Sequence, residues 1–325
     1  MPEPDSSLKG SAQGTRARNS SAPKLLARGT LLALIAAGLF GASAPFAKRL
    51  LVGSSPQTLA GLLYVGSGVG LLVLRSLRLP NLRSEKSLQR KDLPWLAGAI
   101  LAGGGLAPVL LMNGLQRTPA SAASLLLNLE AVFTAVLAWL LFRERFASRV
   151  ALGMAAILAG SGILSWQGRA DTSGFVGPLL VAAACLAWAV DNNLTQRISA
   201  SDPLQITMLK GLVAGSVNLA LAAILHSMWP SPVHMTLAVV LGFFGYGVSL
   251  VLFVFSLRAV GTTRTIAVFS VAPFIGTVVS VIAFGEPVTP SLLVAGGLMA
   301  VGVWITTTQP PPTPPSTSAS ASPGS

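Results

Sequence analysis

Charge is what this chain has least of. Only 10% of its 325 residues are Asp, Glu, Lys or Arg, whereas a water-soluble domain carries roughly 25%. A chain of this length with so few charges cannot cover its surface against water. Cysteine occurs once, as Cys185 inside an apolar run, which excludes a disulfide framework. The two histidines, His226 and His234, flank one short loop, and no spacing resembles a zinc or iron site. No metal and no other cofactor is expected. A Walker A motif is missing, which argues against ATP coupling. No nucleophile–base pair stands out either, so the sequence does not read as an intramembrane enzyme.

Apolar length is abundant instead. Hydrophobic residues make up 52% of the chain and the mean hydropathy is +0.70. A bilayer core asks for about 20 apolar residues per spanning helix. Ten runs meet that length, at 29–47, 57–74, 95–115, 119–141, 149–167, 175–196, 203–225, 235–257, 261–285 and 289–307. They are continuous rather than alternating and far too long for barrel strands, so they are expected to be helices. The fold class is an all-α polytopic membrane protein with ten transmembrane helices and the lipid bilayer as its main partner. The net charge of +12 does not point to nucleic acid, because the basic residues lie in short segments between apolar runs. Residues 1–28 are polar and contain no signal-peptide core; the Pro/Ser-rich tail 308–325 cannot bury enough apolar surface to fold. Both ends are expected to be disordered.

Lys and Arg set the orientation. With the N-terminus in the cytoplasm, seventeen of the 22 basic residues fall in cytoplasmic segments. Only Lys48, Arg49, Arg117 and Arg169 fall on the other side, and Lys210 lies within a span. Both termini are therefore expected in the cytoplasm, with the protein multi-pass in the cytoplasmic membrane. Five spans per half would make an internal repeat inverted. Sliding the sequence by 142 residues pairs Val136 with Val278, Phe142 with Phe284, Glu144 with Glu286 and Gly160 with Gly302. Inverted repeats are common in secondary transporters.

The stretches AAGLFGASAPFAKRL, LEAVFTAVLAWLLFRERF, LAWAVDNNLTQRIS and APFIGTVVSVIAFGE, in that order, resemble the drug/metabolite transporter superfamily. The resemblance is to its ten-helix form, built from two EamA-type repeats, here 29–167 and 175–307. Two departures stand out: Ala131 and Arg143 occupy places where many such repeats have Pro and Gly, while the second half keeps Pro273 and Gly285. The resemblance implies small-molecule transport by alternating access, often export.

Polar residues inside the spans are the candidate substrate and ion pathway. Glu130 lies ~16 Å into the fourth run, near the midplane of a ~30 Å core. An acidic residue there costs about 2.5–3.5 kcal/mol on insertion scales. It is either a carboxyl that loads and releases a proton or a structural group bonded to Asn128, Asn113 or backbone. Asp202 followed by Pro203 reads as an N-cap and first helical residue. Counting from that loop puts Asp191 and Lys210 at one depth, so they are expected to pair; a permanent structural pair and a snorkelling lysine are the alternatives. Asn192 and Asn193 offer hydrogen bonds to a polar substrate. Lys210, Ala214 and Asn218 make one stripe beside Gly211 and Gly215, and Trp188, Phe244 and Tyr246 are candidate cavity walls. The Gly clusters read as packing devices. Pro45, Pro108 and Pro273 are expected to break or kink helices near the site. Glu144, Glu286 and the Arg143–Arg149 cluster read as solvated anchors at helix ends.

The function expected from all this is secondary transport of a small organic metabolite, as a proton-coupled exporter acting as a monomer or homodimer. The alternatives are an exchanger of phosphorylated or nucleotide-linked sugars, which would want more lysines and arginines within the spans, and a non-transporting membrane scaffold or sensor.

Overall fold

The computed structural model describes residues 7–77, 86–142, 147–166 and 173–308. Ten helices are long and apolar enough to cross a membrane: Leu26–Leu50, Pro56–Ser76, Arg90–Arg117, Ala120–Leu141, Ser148–Ser165, Gly174–Gln196, Pro203–Ile224, Pro232–Val260, Arg264–Phe284 and Pro290–Thr307. They are called spans one to ten below. Among the described residues there is no strand. The first helix begins at Ser7 and so runs back into the polar segment for which composition predicts disorder. That segment is rich in good helix formers (Leu8, Lys9, Ala12, Gln13, Arg16), and a helix bonds its own backbone.

Span starts follow local chemistry. Ser55, Asp202, Ser231 and Thr289 each accept a hydrogen bond from a backbone N–H in the first turn, and each is followed by a proline. Proline at that place loses nothing, because its missing N–H would have had no intrahelical partner. The Asp202–Pro203 start expected from the sequence is among them, with Asp202 accepting from the Leu204 N–H at 2.9 Å.

Packing obeys an exchange of the two halves. Span two lies along span seven and span five along span ten. Span one packs on span eight as span six packs on span three. Span one also packs on span nine, as span six packs on span four. Close approaches are made over glycine: a Cβ on Gly153 would stand 2.7 Å from the Gly302 carbonyl oxygen, and one on Gly302 2.6 Å from that of Gly153. Small residues let membrane helices touch backbone to backbone, so the packing role expected of the Gly clusters holds here. In spans two and seven, Gly68 and Gly211 face each other in the same way.

The helices are interrupted at matching places. Span four breaks at Leu127 and Asn128, between Ala120–Leu126 and Leu129–Phe142. Span nine breaks at Ser270 and Val271, between Thr262–Phe269 and Ala272–Phe284. Span three contains a π-helical turn at Ile100–Leu106, and span eight another at Phe243–Val248. Of the three prolines expected to break helices, Pro108 lies two residues past the first π turn and Pro273 is the second residue of the restarted span nine. Pro45 does not break its helix, which is continuous from Ser7 to Leu50. The Gly41 carbonyl that Pro45 cannot serve lies against Gly276 of span nine.

Candidate functional site

Spans six and seven run antiparallel from the short loop that Asp202 caps, and this places Asp191 opposite Lys210. The Lys210 ammonium donates to both carboxylate oxygens of Asp191 at 2.6 Å. Thr195, one turn further along span six, donates its hydroxyl to Asp191 Oδ1 at 2.9 Å. Asp191 is buried, and Lys210 keeps 17% of its side chain exposed. Desolvating two ions costs several kcal/mol each in a protein interior, a cost repaid only by good geometry and further hydrogen bonds; the two-oxygen contact and Thr195 supply both. The pair expected from the sequence is present.

Glu130 owes its place to the break in span four. The helix restarts at Leu129, which puts a helix N-terminus deep in the bundle with Glu130 in its first turn, where the backbone dipole favours a carboxylate. Its partner is Asn192, whose side-chain amide donates to Glu130 Oε1 at 2.8 Å and reaches Thr134 Oγ1 at 3.3 Å. The neighbours considered from sequence do not serve it. Asn128 donates to the Leu125 carbonyl and Asn113 to the Val109 carbonyl, each within its own helix. Asn193 likewise donates to backbone, to Ala189 O at 2.8 Å and Thr134 O at 3.2 Å. Asn192 follows Asp191 directly in span six, so its bond to Glu130 brings that carboxyl close to the level of the ion pair, and the three ionisable groups form one cluster.

Around this cluster stand Trp188, Asn218 and Tyr246, joined by a residue the sequence reading missed. Tyr64 of span two donates its hydroxyl to the Gly103 carbonyl at 2.7 Å. The Trp188 indole N–H donates to the same carbonyl at 3.0 Å and to the Tyr64 hydroxyl at 3.2 Å. Tyr246, on the π turn of span eight, has its ring 5.9 Å from those of Tyr64 and Phe40. Asn218 donates to the Gly104 and Gly105 carbonyls at 3.1 and 3.3 Å and accepts from Gln57 at 2.9 Å. The signal for Tyr64 was available: a tyrosine hydroxyl in the middle of an apolar run must find a partner. Thr134 and Thr195 gave none, since a threonine in a membrane helix usually bonds its own backbone.

At the face opposite the N-terminus, Glu286 corrects an expectation. It is not a solvated anchor. Its carboxylate accepts the N–H groups of Ala120 and Ser121 at 2.7 and 2.8 Å, capping the start of span four, and Lys48 lies 3.9 Å away. Burial works against its charge, but the hydrogen bonds from Ser121 and Ala120, helped by Lys48, outweigh it and hold the carboxyl below its usual range. Lys48 donates to the Thr118 carbonyl, and Arg49 lies over the Phe284 ring at 4.8 Å. Together these contacts join spans one, four and nine beside a cavity of about 270 Å³ lined by Pro45, Lys48, Arg49 and Glu286. Glu144 and Arg143, read with Glu286 as anchors, lie outside the described residues.

Two stretches of the chain, 27–166 and 175–308, match the model of the EamA-like transporter family. An uncharacterized transporter of Methanothermobacter thermautotrophicus is 30% identical over 281 residues, covering 82% of either chain. A probable terminal-alkyne amino-acid exporter of Streptantibioticus cattleyicolor is 28% identical over 66% of this chain and 73% of its own. The uncharacterized transporter YvbV of Bacillus subtilis is 26% identical over 81% of this chain and 86% of its own. One crystal structure shares the fold with a TM-score of 0.62 at 21% identity, covering 86% of this chain and 96% of that one.

Proposed function

Since the chain belongs to the EamA-like transporter family, we propose that it exports a small amphoteric metabolite, of the amino-acid kind, across the cytoplasmic membrane by alternating access. That it is a membrane transporter of a small substrate follows from the family and from its relatives, which point away from an enzyme. The substrate class, the outward direction and the coupling are the proposal. The observation that carries it is the Asp191–Lys210 pair beside Glu130 and Asn192. A substrate bearing one carboxylate and one ammonium can replace each half of such a pair with its own opposite charge. Neither protein ion is then left unpaired in a low-dielectric site, which is the expensive outcome. Glu130 supplies a second carboxyl for the substrate ammonium or for a proton travelling inward as substrate leaves. A relative at 28% identity is a probable exporter of an amino acid, which supports the same class. A phosphorylated sugar would need cations to spare, and Lys210 is already engaged by Asp191. Both termini in the cytoplasm, as the basic residues ask, would place the Glu286 cluster on the outer face.

The test compares the extracellular amino acids of cells overproducing the wild type, Glu130→Gln or no transporter, at equal membrane abundance. Accumulation outside with the wild type, reduced about tenfold or more in Glu130→Gln, is expected for a group that both pairs and titrates. Equal accumulation in all three cultures would overturn the proposal. Equal accumulation with the wild type and Glu130→Gln, above the empty control, would leave Glu130 a structural group.

A further inference from the structure

Pro108 shapes the backbone under the ion pair. It carries no N–H, so it can serve neither the Gly104 carbonyl four residues back nor the Gly103 carbonyl five back. The neighbouring Ala107 N–H is turned to the Ala102 carbonyl, five residues earlier. In the register set by Ala107, the Gly103 carbonyl deep in the bundle is the one that Pro108 leaves without its backbone donor, and a buried carbonyl must be satisfied by something. Tyr64 and Trp188 both donate to Gly103 O, and Asn218 donates to Gly104 O and Gly105 O.

These donors do more than permit a π turn. Span eight has its own at Phe243–Val248, closed by a Ser249 N–H to Phe244 carbonyl bond. That turn contains no proline, and among the described residues no side chain donates to the carbonyls of 242–247. A π turn thus stands in this fold without side-chain support. What distinguishes the supported turn is its position. A Cβ on Gly103 would lie 1.8 Å from Asp191 Oδ2 and 2.5 Å from Asp191 Cβ, and one on Gly104 would meet Ala214 Cβ at 2.5 Å, one turn from Lys210. The bare backbone of Gly103 and Gly104 is the wall against which spans six and seven bring their ions together.

We propose that Tyr64, Trp188 and Asn218 are positioning residues for transport, which hold the π turn at Gly103–Gly105 and through it the Asp191–Lys210 pair. The proposal rests on the reading that this pair handles the substrate, but its test needs no substrate. The full chain, in lipid nanodiscs, is dimethylated with formaldehyde and borohydride, and the rate is followed by mass spectrometry at Lys210 and at Lys48. Tyr64→Phe and Trp188→Phe each leave one donor on Gly103 O, whereas the double variant leaves none. The positioning role predicts small effects of the single changes and about a tenfold faster reaction of Lys210 in the double variant, the scale of one buried carbonyl left unsatisfied. Lys48 should react at its wild-type rate throughout. Gly103→Ala should likewise free Lys210, because its methyl displaces Asp191. An additive effect in the double variant, or acceleration of Lys48 alongside Lys210, would overturn the proposal. Faster Lys210 labelling with undiminished export would keep the positioning role and discard the substrate role of the pair.

Discussion

Removing one member of the Asp191–Lys210 pair should be costly, and removing both should not. In Lys210→Met the Asp191 carboxylate keeps only the Thr195 hydroxyl as donor while remaining buried. Breaking a buried pair from one side costs about 3–5 kcal/mol, whereas replacing both ions by uncharged groups of similar volume is often neutral. Lys210 is 17% exposed, so water relieves part of the loss and the lower end, about 3 kcal/mol, is the expectation for Lys210→Met. Asp191→Asn combined with Lys210→Met should recover most of it. The chain provides its own reporter of unfolding: Cys185, its one cysteine, is fully buried in span six. A thiol-reactive fluorogenic dye therefore reads the thermal transition in detergent. The single variant should melt several degrees lower and the double variant near the wild type, while neither exports. If Lys210→Met melts like the wild type, the pair is not a desolvated ion pair and the argument from its energetics fails. If the double variant exports normally, the pair is structural and the substrate is held elsewhere.

Two further outcomes follow from the packing and the Glu286 cluster. Gly302→Leu should abolish folding or lower stability by more than the roughly 1–3 kcal/mol usual for overpacking, because the added Cβ meets the Gly153 carbonyl oxygen at 2.6 Å and backbone cannot step aside; Gly297→Leu, where nothing lies within 4 Å, should be tolerated, and the Cys185 dye assay compares them. Glu286 has its carboxyl held below the usual range by its hydrogen bonds, so the contact it makes is fully present at neutral pH and is lost as pH falls through that lowered value. Thermal melting followed by intrinsic tryptophan emission checks this: the transition of the wild type should fall on acidification, whereas Glu286→Gln should melt lower already at pH 7 and lose part of that dependence. A transition that falls equally with pH in both proteins would refute this.

The spans, the class of fold and the charged pair were legible because each rests on a strong, local rule. Twenty apolar residues have few soluble uses, and Asp202–Pro203 fixes the start of span seven well enough to count to Lys210. The partner of Glu130 was not legible, because Asn192 lies 62 residues away and only tertiary packing chooses it over the nearer Asn128. The π turns escaped for another reason. Proline announces that a carbonyl will be stranded, but whether the helix kinks, breaks or widens depends on which donors come near, and Tyr64 and Trp188 arrive from two other spans. Pro45 shows the converse, since the same residue type sits in an unbroken helix.

The two halves share a frame but not a chemistry. Packing partners, helix breaks and π turns repeat under exchange of the halves, which is what rocking one repeat against the other requires. The side chains at the breaks and π turns do not repeat: under the 142-residue offset, which pairs Glu144 with Glu286 at the helix ends, Glu130 falls on Ala272 and Pro108 on Leu250. Span four therefore carries a carboxyl at its break and span nine a methyl, while span three has a turn pinned by a proline and three donors and span eight has a turn pinned by neither. A bundle whose halves are equal in shape can exchange inward and outward openings at little cost in packing. Under the proposed function, unequal chemistry at the matching breaks is what would make the two openings differ in how they treat a charged substrate or a proton. Glu130, Asp191 and Lys210 carry that difference in the proposal, so neutralising those three should leave a bundle that still alternates but no longer distinguishes its two sides.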